Sequence, residues 1–100
     1  AALAIAEKAS HLSPNEPDII DTYGWTLVQQ GQIEAGLRHL REARLRNPQN
    51  GEIRYHLAVA LAKSGRTDEA RQELSEALKP GANVESTAEA QKLMRQLSGS

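Results

Sequence analysis

No cysteine and no phenylalanine occur in this 100-residue chain, and its aromatics stop at one tryptophan and two tyrosines. Without cysteine there is no disulfide, thiol or cysteine–metal chemistry, and the redox compartment stays open. Alanine and leucine carry the apolar content, which suits closely packed helices. A sandwich or barrel would draw on β-branched and aromatic side chains. A formal net charge of −1 supplies neither a basic field for nucleic acid nor an acidic tail. No apolar run approaches the roughly 20 residues that span a bilayer, so no direct membrane insertion is expected. The opening Ala1-Ala2-Leu3-Ala4-Ile5-Ala6 is too short for a signal peptide and lacks its basic flank.

Chemistry-bearing motifs are missing as well. His11, His39 and His56 fall on three different predicted helices, and no close ligand pair announces a zinc site. No Gly-x-Ser-x-Gly elbow and no glycine-rich phosphate loop accompanies the serines. The expectation is therefore no metal, no cofactor and no enzyme activity.

What is present is a repeat. Residues 17–50 carry Ile20-x2-Tyr23-Gly24-x2-Leu27, then Gly31, Gly36-x3-Leu40, Ala43 and Pro48. Advanced by 34 places, the same slots hold Leu57-Ala58-x2-Leu61, Gly65, Ala70-x3-Leu74 and Ala77. Moved 34 places back, Ala2, Ala6, Ala9 and Pro14 fall under Gly36, Leu40, Ala43 and Pro48. A period of this length with alternating small and large residues marks stacked helical hairpins.

Taken in order, residues 1–16 match only the second half of a repeat, with Ala2, Ile5, Ala6 and Ala9 on one helical face. A half repeat cannot cover that face, so the chain reads as a piece of a longer array. Ser13-Pro14-Asn15-Glu16-Pro17 is a turn. Helix A of the first full repeat, residues 17–50, is expected over about 18–30, and helix B over about 33–46. In the second repeat, residues 51–84, the helices are expected over about 52–64 and 67–79, capped by Asn50 and Thr67. Proline then arrives early, at Pro80, and the register breaks. The last segment, residues 85–97, opens with a capping box at Ser86-Thr87-Ala88-Glu89. Ala90, Leu93, Met94 and Leu97 form its single apolar stripe, as a helix that closes an array requires.

These residues resemble the tetratricopeptide repeat (TPR) family across nearly the whole chain. The resemblance implies an all-α, right-handed superhelical solenoid of antiparallel hairpins, with a capping helix at the C-terminal end. It also implies a non-catalytic scaffold whose A helices line a concave groove for a protein or peptide. Two positions depart from the family pattern. Its large aromatic near the start of helix A is Ile20 in one repeat and Arg54 in the other, and Arg44 stands where Leu78 predicts a leucine. The wording Asp21-Thr22-Tyr23-Gly24-Trp25 and Arg54-Tyr55-His56-Leu57-Ala58 is similar to the C-terminal repeats of large bacterial TPR proteins. Among these are lipoproteins of exopolysaccharide export, which favours the bacterial envelope over the cytoplasm by resemblance alone.

At about 100° per residue, Ile19, Ile20, Tyr23, Gly24 and Leu27 share one side of helix A. Trp25 falls nearly opposite, among Asp18, Asp21, Thr22 and Gln29; the matching face of the next repeat carries Glu52, Tyr55, His56, Val59 and Lys63. An aromatic among polar residues is a typical binding anchor. The alternative is that Trp25 packs against the neighbouring repeat. Where TPR relatives grip a C-terminal carboxylate with basic residues, these faces are mostly acidic, which suits a basic or neutral segment with an apolar anchor. Arg38, Arg41, Arg44 and Arg46, interleaved with Glu34 and Glu42, read as a solvated face without the footprint of a nucleic-acid binder. Gly24, Gly36, Ala58 and Ala70 read as close packing between the helices of each hairpin, and a methyl group is expected to be tolerated at both glycines. A purely structural role, packing within the array or self-associating through the N-terminal half repeat, is the alternative function.

Overall fold

Gly31, Gly65 and Gly81 have φ of 88°, 84° and 88°, a left-handed backbone that costs glycine least, and the first two end the helices before them. The computed structural model describes residues 2–12 and 15–99, without the side chains of Ala2 and Ser10. Ser13 and Pro14 of the expected first turn, the Ala2 side chain and Ser100 thus lie outside the described residues. Six helices run through the rest: α1 (Ala2–Leu12), α2 (Pro17–Gln29), α3 (Ile33–Arg46), α4 (Gly51–Lys63), α5 (Thr67–Ala77) and α6 (Thr87–Ser98).

Each helix starts where local chemistry allows it. Pro17 occupies the first position of α2, where its missing N–H leaves no bond unmade. The Asn50 side chain accepts the Ile53 N–H at 3.0 Å and caps α4. Two expected caps are corrected. Thr67 is already inside α5, whose N-cap is Arg66 and makes no side-chain capping bond. Ser86 does precede α6 but does not cap it with its hydroxyl, which donates to Glu52 instead.

The apolar slots of the repeat meet in one core. Leu40, Leu57, Ala58, Leu61, Ala70 and Leu74 are fully buried, and Ala90 of α6 reaches the same cluster. Leu93, Met94 and Leu97 pack against it from α6. Ile20, Ala43 and Ile53 form a second, smaller cluster. Leu45 stays 73% exposed, because Arg44 points inward in its place.

The first hairpin is the tighter one. A Cβ added at Gly36 would lie 2.6 Å from Val28 Cγ2 and 2.7 Å from the Gly24 carbonyl oxygen. One added at Gly24 would lie 2.9 Å from Leu40 Cγ and 3.1 Å from the Gly36 carbonyl oxygen. The backbones of α2 and α3 thus cross at their glycines, and the expected tolerance of a methyl group there is overturned.

Between hairpins, α3 packs on α4 and α5 on α6, with lighter contact of α2 on α4 and α4 on α6, while the backbones of α3 and α5 do not meet. The B helices reach each other through ion pairs: Glu34–Arg66, Arg41–Glu69 and Arg44–Glu73. Glu73 is buried and also receives Arg54 at 2.8 Å, opposite Arg44 at 2.6 Å. Alpha-helix α1 lies on α2, with Ala6 buried and Tyr23 donating to Glu7 at 3.3 Å; Ile5 and Leu12 remain 72% and 75% exposed.

Candidate functional site

The A helices α2 and α4, with α6 beside them, form the closer-packed side of the array, and the ten expected site residues lie along it. They do not make one continuous surface. They divide into a polar network between the hairpins, an apolar cleft, and an acidic hollow.

The network holds Asp21, Trp25, Glu52 and His56. Asp21 is only 8% exposed, contrary to its expected place on an open face, because α4 covers that side of α2. Its Oδ1 lies 2.8 Å from His56 Nδ1, and His56 Nε2 lies 3.3 Å from Glu52 Oε2. Trp25 stacks on the His56 ring, centroids 4.2 Å apart and planes at 19°, and lies 6.2 Å from the Tyr55 ring. It is half-buried against the core. Of the two readings of Trp25, packing on the next repeat is thus present in the fold.

Glu52 also anchors the lead-in to α6. Its N–H donates to the Asn83 carbonyl at 2.9 Å. Its carboxylate accepts the N–H groups of Glu85 and Ser86 at 3.0 and 2.9 Å, and the Ser86 hydroxyl at 2.7 Å. Burial pushes the Glu52 carboxyl up, but the bonds from Ser86, with His56 nearby, outweigh it and hold it below its ordinary value. Asp21 goes the other way: burial dominates over its bond to His56 and raises it.

The cleft lies between α4 and α6. Tyr55, Val59 and Lys63 line one wall, and Glu89, Lys92, Leu93 and Gln96 the other, enclosing 380 Å³. Burial raises the Tyr55 phenol, with Glu89 and Glu52 adding to it, so it stays a neutral hydrogen-bonding group. The α6 residues went unrecognised in the sequence, where α6 was assigned only to closing the array. One signal was there: Ser86 follows Glu52 by one period, so α6 occupies the place of a further A helix.

The hollow, of 270 Å³, is lined by Asp18, Asp21, Thr22, Asn50, Glu52, Asn83 and Glu85. Thr22 bonds back to the Asp18 carbonyl at 2.9 Å. Gln29 is exposed at the far end of α2 and joins none of the three groups. The run of α4 from Glu52 to Lys63 separates the acidic hollow from the lysine end of the cleft by about 16 Å.

Among the described residues no group of His, Asp and Glu is placed to hold a metal ion, and no helix is long and apolar enough to cross a membrane. The arginines of α3 are largely engaged: Arg41, Arg44 and Arg46 all pair with glutamates.

A family model described as tetratricopeptide repeat matches residues 27–97. A TPR repeat-containing protein of Pseudomonas aeruginosa is 40% identical over 50 residues, which is 50% of this chain and 8% of that protein. The chain therefore spans a small fraction of that relative's length.

Proposed function

The chain belongs to the tetratricopeptide repeat family, whose members are generally non-catalytic and mediate protein–protein interaction, and on that premise we propose a specific ligand site. The module holds a protein or peptide segment along the face of α2, α4 and α6. An apolar side chain of the partner enters the cleft between Tyr55, Val59 and Leu93. The observation that carries this reading is the cleft itself, apolar at its floor and rimmed by Lys63, Glu89 and Lys92. Pockets of this size with a few polar groups at the rim are where ligands are ordinarily held. The acidic hollow supplies orientation for basic residues of the partner rather than much affinity.

The test is to select peptides from a random displayed library and to map the best binder by amide chemical shifts. Shifts confined to α4 and α6, and loss of binding on Val59→Lys with the fold intact, are the expected outcome. Binding that maps to α3 and α5 removes the proposal.

A second reading has its own observation. Ile5 and Leu12 are exposed on α1, an apolar face that suits packing within a longer array or self-association. In that case the module is structural, and sedimentation, not peptide selection, reports its activity.

A further inference from the structure

Both ring nitrogens of His56 face carboxylates, Asp21 at 2.8 Å and Glu52 at 3.3 Å. A neutral imidazole has one N–H and donates to one of them; its other nitrogen then turns a lone pair toward an anionic oxygen. Only the imidazolium serves both. Trp25 lies flat on the ring, the arrangement in which an indole face attracts a cation. Because Glu52 also holds the N–H groups of Glu85 and Ser86, one proton stands between α2, α4 and the start of α6.

We propose that His56 is a proton-dependent clamp: its imidazolium ties α2 to α4 and, through Glu52, seats the lead-in to α6. Losing the proton releases the Glu52 side first, since that contact is the longer one and a neutral ring keeps its N–H on Asp21. The wall that α6 contributes to the cleft then loosens. The clamp is a property of the free protein and depends on no ligand.

The charges round the ring favour this assignment. From α2 comes Asp21 and from α4 itself Glu52, while Asp18 and Glu85 line the hollow beside these two carboxylates. Glu89 of α6 acts on the neighbouring Tyr55. Helices α3 and α5 direct Arg44 and Glu73 to Arg54, two residues before His56 and so on the opposite side of α4. Among the described residues no second cation pairs with Asp21 or Glu52. Both groups that pair with the His56 ring are anionic, and Trp25 covers one of its faces.

The clamp weakens as rising pH takes the proton from the ring. It weakens again in acid, where Glu52 and Asp21 take up protons.

The experiment is a pH titration of Trp25 emission and of amide exchange at Glu85 and Ser86, corrected for intrinsic exchange. Corrected exchange there should rise roughly threefold as the ring loses its proton, the size set by a partly exposed ion pair. Emission of the single tryptophan should change with the same midpoint. His56→Gln should abolish both transitions, while His11→Gln and His39→Gln keep them. Direct 15N shifts of the wild-type His56 ring serve if His56→Gln does not fold. A ring that is neutral throughout, flat exchange and emission, or transitions that survive in His56→Gln would each overturn the clamp.

Discussion

Arg44 and Arg54 share one anion: their guanidinium groups lie on opposite oxygens of the buried Glu73, at 2.6 and 2.8 Å. Both arginines occupy positions where the repeat pattern calls for an apolar residue. Glu73 itself stands one period after His39, so the second hairpin has exchanged a packing contact for a charged one. Arg54 also donates to the Pro48 carbonyl at 2.9 Å, which fixes the turn ahead of α4. The two irregularities of sequence are one interaction in space.

Removing the shared anion should cost more than removing either cation. Glu73→Gln leaves two partly buried guanidinium groups without a counter-charge, and a loss of about 3 kcal/mol in urea unfolding is expected. Arg44→Leu leaves the Arg54–Glu73 pair in place and restores the repeat's leucine. Its expected cost is about 1 kcal/mol or less, within the range of measured ion-pair contributions.

Gly36→Ala should destabilise the fold. Helix propensity favours alanine by about 1 kcal/mol, but overpacking against backbone that cannot retreat costs about 1–3 kcal/mol. The Gly24 carbonyl oxygen, 2.7 Å from the added carbon, is such a backbone atom. Gly24→Ala meets mainly the Leu40 side chain and should lose less. Denaturant midpoints of the two variants, compared with each other, check the order.

Trp25→Ala should lower stability by about 2 kcal/mol, less than a fully buried tryptophan would. The ring packs on the core and on His56, so the variant keeps its helices at room temperature but unfolds at lower urea. Circular dichroism at 222 nm through a urea series measures this.

Glu52 should contribute acid-dependent stability. Its folded-state pKa lies below the ordinary 4.5, so its contribution is complete above that value and is lost as pH falls through the lowered one. Asp21, raised above 3.8, has the opposite sign: its ionised form is the less favoured in the fold. Glu52→Gln should therefore flatten the fall of stability in acid, whereas Asp21→Asn should steepen it. Thermal midpoints measured from acid to neutral pH separate the two.

Self-association should depend on α1. Ile5→Ser and Leu12→Ser remove exposed apolar surface and little packing, so stability is expected to change by no more than about 0.5 kcal/mol. Sedimentation of the unaltered chain should show concentration-dependent association that the double variant lacks.

The helices and their core were legible because burial in this fold repeats with the period. Leu40 and Leu74, or Leu27 and Leu61, occupy matching slots, and all four are buried. Asp21 was misplaced for a physical reason. A helical wheel separates the apolar side of α2 from the polar one, but α2 is covered by α1, α3 and α4 on different sides. Only the α4 cover decides that Asp21 is buried. The Glu52–Ser86 contact was hidden for a similar reason: the capping-box pattern is a local rule, and a carboxylate one period away outcompeted it. Glu52 and His56 stand one turn apart on α4, a pairing that spacing alone could have suggested.

The two sides of the joint between the hairpins are made of different materials. Helices α3 and α5 are held by Glu34–Arg66, Arg41–Glu69 and Arg44–Glu73, of which the first two are open to solvent. On the other side, Trp25 of α2 stacks on His56 of α4, and His56 pairs with Asp21 where both side chains are shielded from solvent. Added salt screens the exposed ion pairs over a few ångströms and leaves ring stacking nearly untouched. Ionic strength should therefore weaken the α3–α5 side of the joint more than the shielded α2–α4 side.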